Sequence, residues 1–166
     1  MGKTGFILFL LCLIFSGCSH YHSGISPQNV VQSIYVEPVK NSSLCPKASG
    51  PLTAQLTKKI QRSTPLKLAH KGEAQSHLRV EIVDFSQKNS AYDPKDTSIA
   101  LSVNLRIVAE CTLVDRSGKS LLERQRVEVA VDLLKGRDFH SLRDQAIPQL
   151  MERLARKICA LLVNIW

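Results

Sequence analysis

The sequence predicts an α+β fold: a two-layer sandwich with two helices packed on one face of a mostly antiparallel sheet of four or five strands, including a long hairpin. Three observations lead there. Ile99, Leu101, Val103, Leu105, Ile107, Ala109, Cys111 and Leu113 place an apolar side chain at every second position, with Ser102, Asn104, Arg106, Glu110 and Thr112 between them. A period of two kept up that long belongs to a strand with one dry and one wet face. After the turn Asp115-Arg116-Ser117-Gly118, Val127, Val129, Val131 and Leu133 resume the alternation against Arg126, Glu128 and Asp132. The pair reads as an antiparallel hairpin whose arms, at ~3.3 Å per residue, exceed ~40 Å. Finally, two apolar stripes recur at helical spacing: Leu52, Leu56 and Ile60, then Ile147, Leu150, Met151, Leu154, Ile158, Leu161 and Leu162. Two half-dry helices and one half-dry sheet bury their apolar faces most economically against each other.

The elements follow in order. Ile34 to Val39 reads as a first strand ended near Pro38, because proline cannot donate to a ladder. Asn41 to Pro46 is a loop. Ser49-Gly50-Pro51 starts a helix, with Pro at an early position where its missing N–H costs nothing. Lys58, Lys59 and Arg62 suit the negative end of its dipole, and Ser63-Thr64-Pro65 ends it. Leu66-Lys67-Leu68 is a candidate short edge strand. Leu78, Val80 and Ile82 alternate with Arg79 and Glu81 as a further strand. In the last helix Pro148 interrupts the stripe, so that helix either begins there or kinks there.

The chain has 166 residues, enough for one domain, and a formal net charge of +8. That charge suits an anionic partner without choosing between lipid phosphates, nucleic acid and an acidic protein. The N-terminus narrows the choice. A basic start (Lys3), an apolar run from Phe6 to Phe15 and a small-residue close Ser16-Gly17 before Cys18 describe a secretion signal over 1–17. The run is shorter than the ~20 residues of a bilayer span. Phe15-Ser16-Gly17-Cys18 resembles the lipobox of bacterial lipoproteins, in which the Cys thiol accepts lipid and becomes the first mature residue. Cys18 is therefore the expected lipid-attachment site, and 18–30 the lipidated tether of a domain over 31–166. Ser19 after it resembles lipoproteins sorted to the outer membrane, which implies a lipid anchor there with the domain on the periplasmic side. His20 and His22 on the tether are expected to be exposed rather than metal ligands. A secreted lipoprotein is not expected to meet nucleic acid.

Cys45, Cys111 and Cys159 remain, an odd number whose spacing is not that of a zinc site. Cys111 and Cys159 fall on apolar faces; two buried inert thiols are favoured over a pair. The chain has no Gly-x-Ser-x-Gly elbow, phosphate loop or His-Glu-x-x-His, so neither catalysis nor a cofactor is expected.

Several segments together resemble the lipopolysaccharide-assembly (LptE-like) lipoprotein family. Tyr21-His22-Ser23-Gly24 is similar to its opening, with one extra residue after the Cys. Val39-Lys40-Asn41-Ser42-Ser43 followed by Pro51-Leu52-Thr53 resembles its strand, Asn-x-Ser/Thr turn and helix start. Phe85 to Asp93 is similar to its end-of-strand and crossover segment, and Leu113 to Leu122 to its hairpin turn with Gly-Lys. The terminal stripe matches its last helix. The resemblance implies an outer-membrane lipoprotein that plugs and helps assemble the LptD-type β-barrel and binds lipopolysaccharide in transit. It makes four cations the candidate lipopolysaccharide contacts: Arg116 and Lys119 at the hairpin tip, and Lys88 and Lys95 bracketing the other loop. For the tip pair a plain solvated turn is the competing reading. The alternative function is an envelope lipoprotein regulating a peptidoglycan synthase, and the length of the Ile99–Leu133 hairpin favours the first.

Overall fold

A computed structural model describes residues 31–96, 100–136 and 138–164. The signal, Cys18, the tether with its two histidines, and Ile99 lie outside the described residues. The elements are β1 (Ser33–Val36), β2 (Lys40–Asn41), α1 (Ser49–Ser63), β3 (Lys67–Leu68), β4 (Ser76–Tyr92), β5 (Ala100–Asp115), β6 (Ser120–Leu134) and α2 (Phe139–Val163). They form the expected α+β sandwich: one sheet in the order β3-β1-β4-β5-β6, with β2 paired to β4 beside β1, and both helices on one face.

β4, β5 and β6 are an antiparallel meander, whereas β1, β2 and β3 add in parallel at its first edge. Pro38 explains why the first strand is split in two. Pairing to β4 stops at Val36 and resumes at Lys40, because the proline has no N–H to offer in between.

The core is aliphatic. Leu105, Ile107, Ala109, Cys111 and Leu113 of β5 are fully buried beneath Leu52, Leu56 and Ile60 of α1 and Leu150, Met151, Leu154 and Ile158 of α2. Val127 and Val129 of β6 join the same cluster. The alternation of burial fails in two places. Val108, between Ile107 and Ala109, is fully buried although it faces the other side. Leu101, expected on the dry face, is 41% exposed, while Ala100 is buried. Register shifts between Asn89 and Ala91 and between Ala91 and Tyr92 lie opposite, and a bulge re-aims the side chains beyond it.

Two elements are longer than their patterns suggest. β4 runs from Ser76 to Tyr92, so Phe85 to Tyr92 is strand rather than a crossover. Its polar end, Gln87 to Tyr92, is exposed; with no helix above it, nothing imposes an apolar alternation there. α2 begins at Phe139 and passes through Pro148 without ending.

Candidate functional site

The four candidate cations fall at opposite ends of the sheet. Arg116 and Lys119 occupy the β5–β6 turn, next to the start of β4, since Ser76 pairs with Asp115. Lys88 pairs with Asn104 on β4 itself, and Lys95 lies in the β4–β5 turn. Lys88 therefore does not flank a loop; it stands on a strand, because β4 outlasts its apolar pattern. The seventeen residues of β4 separate the two ends by roughly 50 Å. All four cations are exposed, but they do not form one site.

The Arg116–Lys119 end is built around Asp115. Its Oδ1 accepts from the Ser117 N–H (2.8 Å), the Ser117 hydroxyl (2.6 Å) and the Lys119 N–H (2.9 Å). The Asp115 N–H donates to the Lys119 carbonyl (2.9 Å), and Gly118 takes φ +88° to close the turn, a conformation open to glycine. The Ser117 hydroxyl bond, first, and then the Lys119 and Ser117 N–H groups and the Lys119 charge hold the Asp115 carboxyl below its ordinary range. The acid is thus spent on the backbone, and the two flanking cations point outward from a fixed turn.

Neighbouring chain adds to this end. The Arg116 N–H donates to the Gln75 carbonyl (2.8 Å), which ties the turn to the β3–β4 loop carrying exposed Lys71. Exposed Lys67 opens β3 and pairs with Ser33. Gln75 Oε1 in turn accepts from the Gln32 N–H (2.6 Å). Residues 31 and 32 therefore enter the domain at the basic end, and the segment leading back to Cys18 departs from it. Lys67, Lys71 and this shared exit were not legible in the sequence, because they follow from the parallel pairing of β1 with β3 and β4.

The wet face of the sheet is neutralised by cross-strand pairs. Arg79 meets Glu37 at 3.0 Å, Arg124 meets Glu110 at 3.8 Å and Arg106 pairs with Glu128. Asn104 Nδ2 donates to Asp132 Oδ1 at 3.0 Å. Between them sits a depression of about 370 Å³ lined by Glu37, Lys40, Arg79, Glu81, Glu110 and Arg124. Four of these charges are engaged in the Arg79–Glu37 and Arg124–Glu110 pairs, and Glu81 accepts a hydrogen bond from the Ser42 hydroxyl. Cys45, Cys111 and Cys159 are free and buried. Burial pushes Cys111 up to about 12, with Glu110 adding to it, and Cys159 up to about 11 against the pull of Lys59. Among the described residues no group of three or more His, Cys, Asp or Glu side chains is arranged to hold a metal, and no helix is long and apolar enough to cross a membrane.

By class, this is a sheet-and-helix domain with exposed cations at its strand ends and paired charges across the outer face of its sheet. Comparison with known proteins makes the assignment specific. The chain belongs to the lipopolysaccharide-assembly family LptE, whose model matches residues 31–162. That family consists of non-enzymatic lipoproteins, and membership gives the chain a role of the lipopolysaccharide-assembly kind. Among solved structures the chain is similar to a minor lipoprotein of Acinetobacter baumannii: TM-score 0.58, 15% identity, covering 82% of this chain and 95% of that one. It is also similar to lipoprotein B of Nitrosomonas europaea: TM-score 0.57, 11% identity, covering 78% and 80%. At these identities the likeness is one of fold. No curated protein sequence matches the chain.

Proposed function

We propose that this protein is an outer-membrane lipoprotein, anchored through Cys18 on the periplasmic side, that plugs and helps assemble an LptD-type β-barrel and binds lipopolysaccharide during its insertion. It acts by binding and not by catalysis. The observation that carries the reading is the shared end of the sheet. The chain leading to Cys18 leaves the domain beside Arg116, Lys119, Lys67 and Lys71. About a dozen tether residues reach at most ~45 Å, so a lipidated Cys18 keeps these cations near the membrane. Phosphates gain charge-assisted bonds from Arg and Lys. A barrel lumen is polar and accommodates a sheet whose outer face is covered with paired charges.

The test uses the lipidated full chain in detergent. Arg116→Glu with Lys119→Glu should weaken lipopolysaccharide binding about tenfold at low salt. The loss should shrink at high salt, because exposed charges are screened over ~8–10 Å near physiological ionic strength. The variant should melt at the parent's temperature. A folded double variant that binds as tightly as the parent removes the tip as the contact. Affinity capture from solubilised membranes tests the partner: recovery of a large β-barrel supports the plug, and recovery of a peptidoglycan synthase overturns it. Cys18→Ala should abolish palmitate incorporation, and labelling that survives the substitution removes the anchor.

A further inference from the structure

We infer that the free edge of β4 is a self-association surface, on which a second copy of this chain pairs its own β4 antiparallel about a two-fold axis at Ser86. The argument starts from how differently the two edges of the meander are treated. Along β6, α2 closes the edge: Lys157 Nζ donates to the Glu128 carbonyl (2.9 Å) and Arg153 donates to the Ala130 carbonyl (3.4 Å). Such capping by charged side chains is how an edge is kept from pairing with other chains. Among the described residues the outer half of the β4 edge has no such cover. β1 pairs with it only as far as Leu78, and β2 only as far as Ile82, where the Ser42 N–H donates to the Ile82 carbonyl (2.9 Å). From Val83 to Tyr92, no strand among the described residues pairs with its outer side.

The sequence of that edge is complementary to itself. Between register shifts at Ile82/Asp84 and Asn89/Ala91, residues 84–89 form a regular ladder with β5. Phe85 and Gln87 lie opposite Ile107 and Leu105 of the dry face, which puts Asp84, Ser86 and Lys88 together on the wet face. An acid and a base stand two residues either side of a serine. Antiparallel pairing about Ser86 sets Asp84 opposite the partner's Lys88, and Lys88 opposite the partner's Asp84. Opposite charges directly across an antiparallel pair stabilise it, and a two-fold axis makes each such contact twice. Shifting the ladder by two residues so that Lys88 or Asp84 occupies the axis puts like charges face to face. The ends of the pairing agree as well. The incoming strand stops where β2 occupies the edge at Glu81 and Ile82, which sets the paired stretch at Val83 to Asn89 of each copy.

The association goes beyond the barrel-plug reading and does not depend on it: it covers a strand edge wherever the protein is free of another partner. The pairing predicts contact of residue 86 with itself, which disulfide trapping reads directly in the full chain on membranes. Ser86→Cys should yield a disulfide-linked homodimer on non-reducing gels, the native thiols being buried. Asn89→Cys, on the other face and opposite the partner's Val83, should yield at least about fivefold less. In the Ser86→Cys background, Asp84→Lys should reduce the dimer by about five- to thirtyfold, since it replaces two attractive pairs with two repulsive ones. Adding Lys88→Asp should restore it. Restoration by the reversed pair is an outcome that misfolding or random collision does not produce. Absence of the Ser86→Cys homodimer, equal trapping at position 89, indifference to the charge exchange, or trapping to a different protein overturns the inference.

Discussion

Leu105 and Asn104 are consecutive residues of β5 that face opposite sides of the sheet, so they carry different physics. Leu105 is fully buried in the cluster between sheet and helices. Leu105→Asp places a carboxylate there without a partner, at a cost of several kcal/mol, comparable with the whole ~5–15 kcal/mol margin of a domain. Asn104 is half-buried on the wet face and donates to Asp132. Asn104→Asp loses that bond and sets two carboxylates side by side, for roughly 1 kcal/mol. Thermal melts should therefore show Leu105→Asp unfolded or nearly so and Asn104→Asp lowered by a few degrees; equal losses would contradict the strand register. Asp115 makes a pH prediction at the same scale. Its carboxyl is lowered from the ordinary 3.8, so its contribution to the turn is complete above that value and is lost as pH falls through the lower folded value. The Ser117 and Lys119 amide resonances should titrate together, with a midpoint below 3.8. Asp115→Asn should remove that transition, and a midpoint at or above the ordinary value would show that the bonds do not favour the ionised acid.

At the scale of elements, periodicity was readable wherever a helix covers the sheet. Val103 to Leu113 alternate because α1 and α2 lie above them, and the stripes of both helices are the surfaces that meet them. Where no helix reaches, the signal stops although the strand does not. Gln87 and Asn89 have no reason to be apolar, which is why the outer half of β4 looks like a crossover and why Lys88 looks like a loop residue. The two-residue strands β2 and β3 are defined by parallel partners distant in sequence, and a local pattern of two residues carries no period. The basic end was half legible for the same reason: the hairpin tip announces itself through Gly118, but its union with Lys67, Lys71 and the tether exit is a product of topology. α2 shows the limit of a strong local rule. Pro148 removes one hydrogen bond from the helix, yet its flanks Ala146, Leu150 and Met151 are buried, so packing carries the helix across the break. Pro148→Ala restores the donor. We expect a gain of ~1–2 kcal/mol, less than the ~3 kcal/mol by which the two residues differ in a free helix, because the packing around position 148 must readjust. Chemical denaturation should show the midpoint rising with an unchanged slope; a lower midpoint would mean that the proline ring contributes more to packing than the missing hydrogen bond costs.

At the scale of the whole molecule, the three free thiols report on cooperativity because they lie in three different parts of the core. Cys45 is in the β2–α1 loop, Cys111 in β5 and Cys159 in α2, and all are buried. A thiol must be exposed and ionised to react. Burial denies the first condition to each, and it also opposes the second by raising Cys111 to about 12 and Cys159 to about 11. The raised values have a consequence for stability. Below the unfolded value of 9.0 both states keep the proton, and the folded state has its full margin. Between that value and the folded ones the unfolded chain ionises first, so stability falls as pH rises from about 9 towards 11 to 12. Cys111→Ala should flatten this alkaline decline, at the cost of a small cavity. At neutral pH, a thiol reagent should label all three positions at one rate set by global opening, since a single cluster joins Cys45, Cys111 and Cys159 to both layers. Mass spectrometry of labelled peptides along a urea series resolves the three sites. If Cys45 labels well before the other two, the β2–α1 loop opens by itself. That would detach Leu44 and the end of β2 from the cooperative unit, and the β4 edge would then be open over more of its length than the folded chain shows.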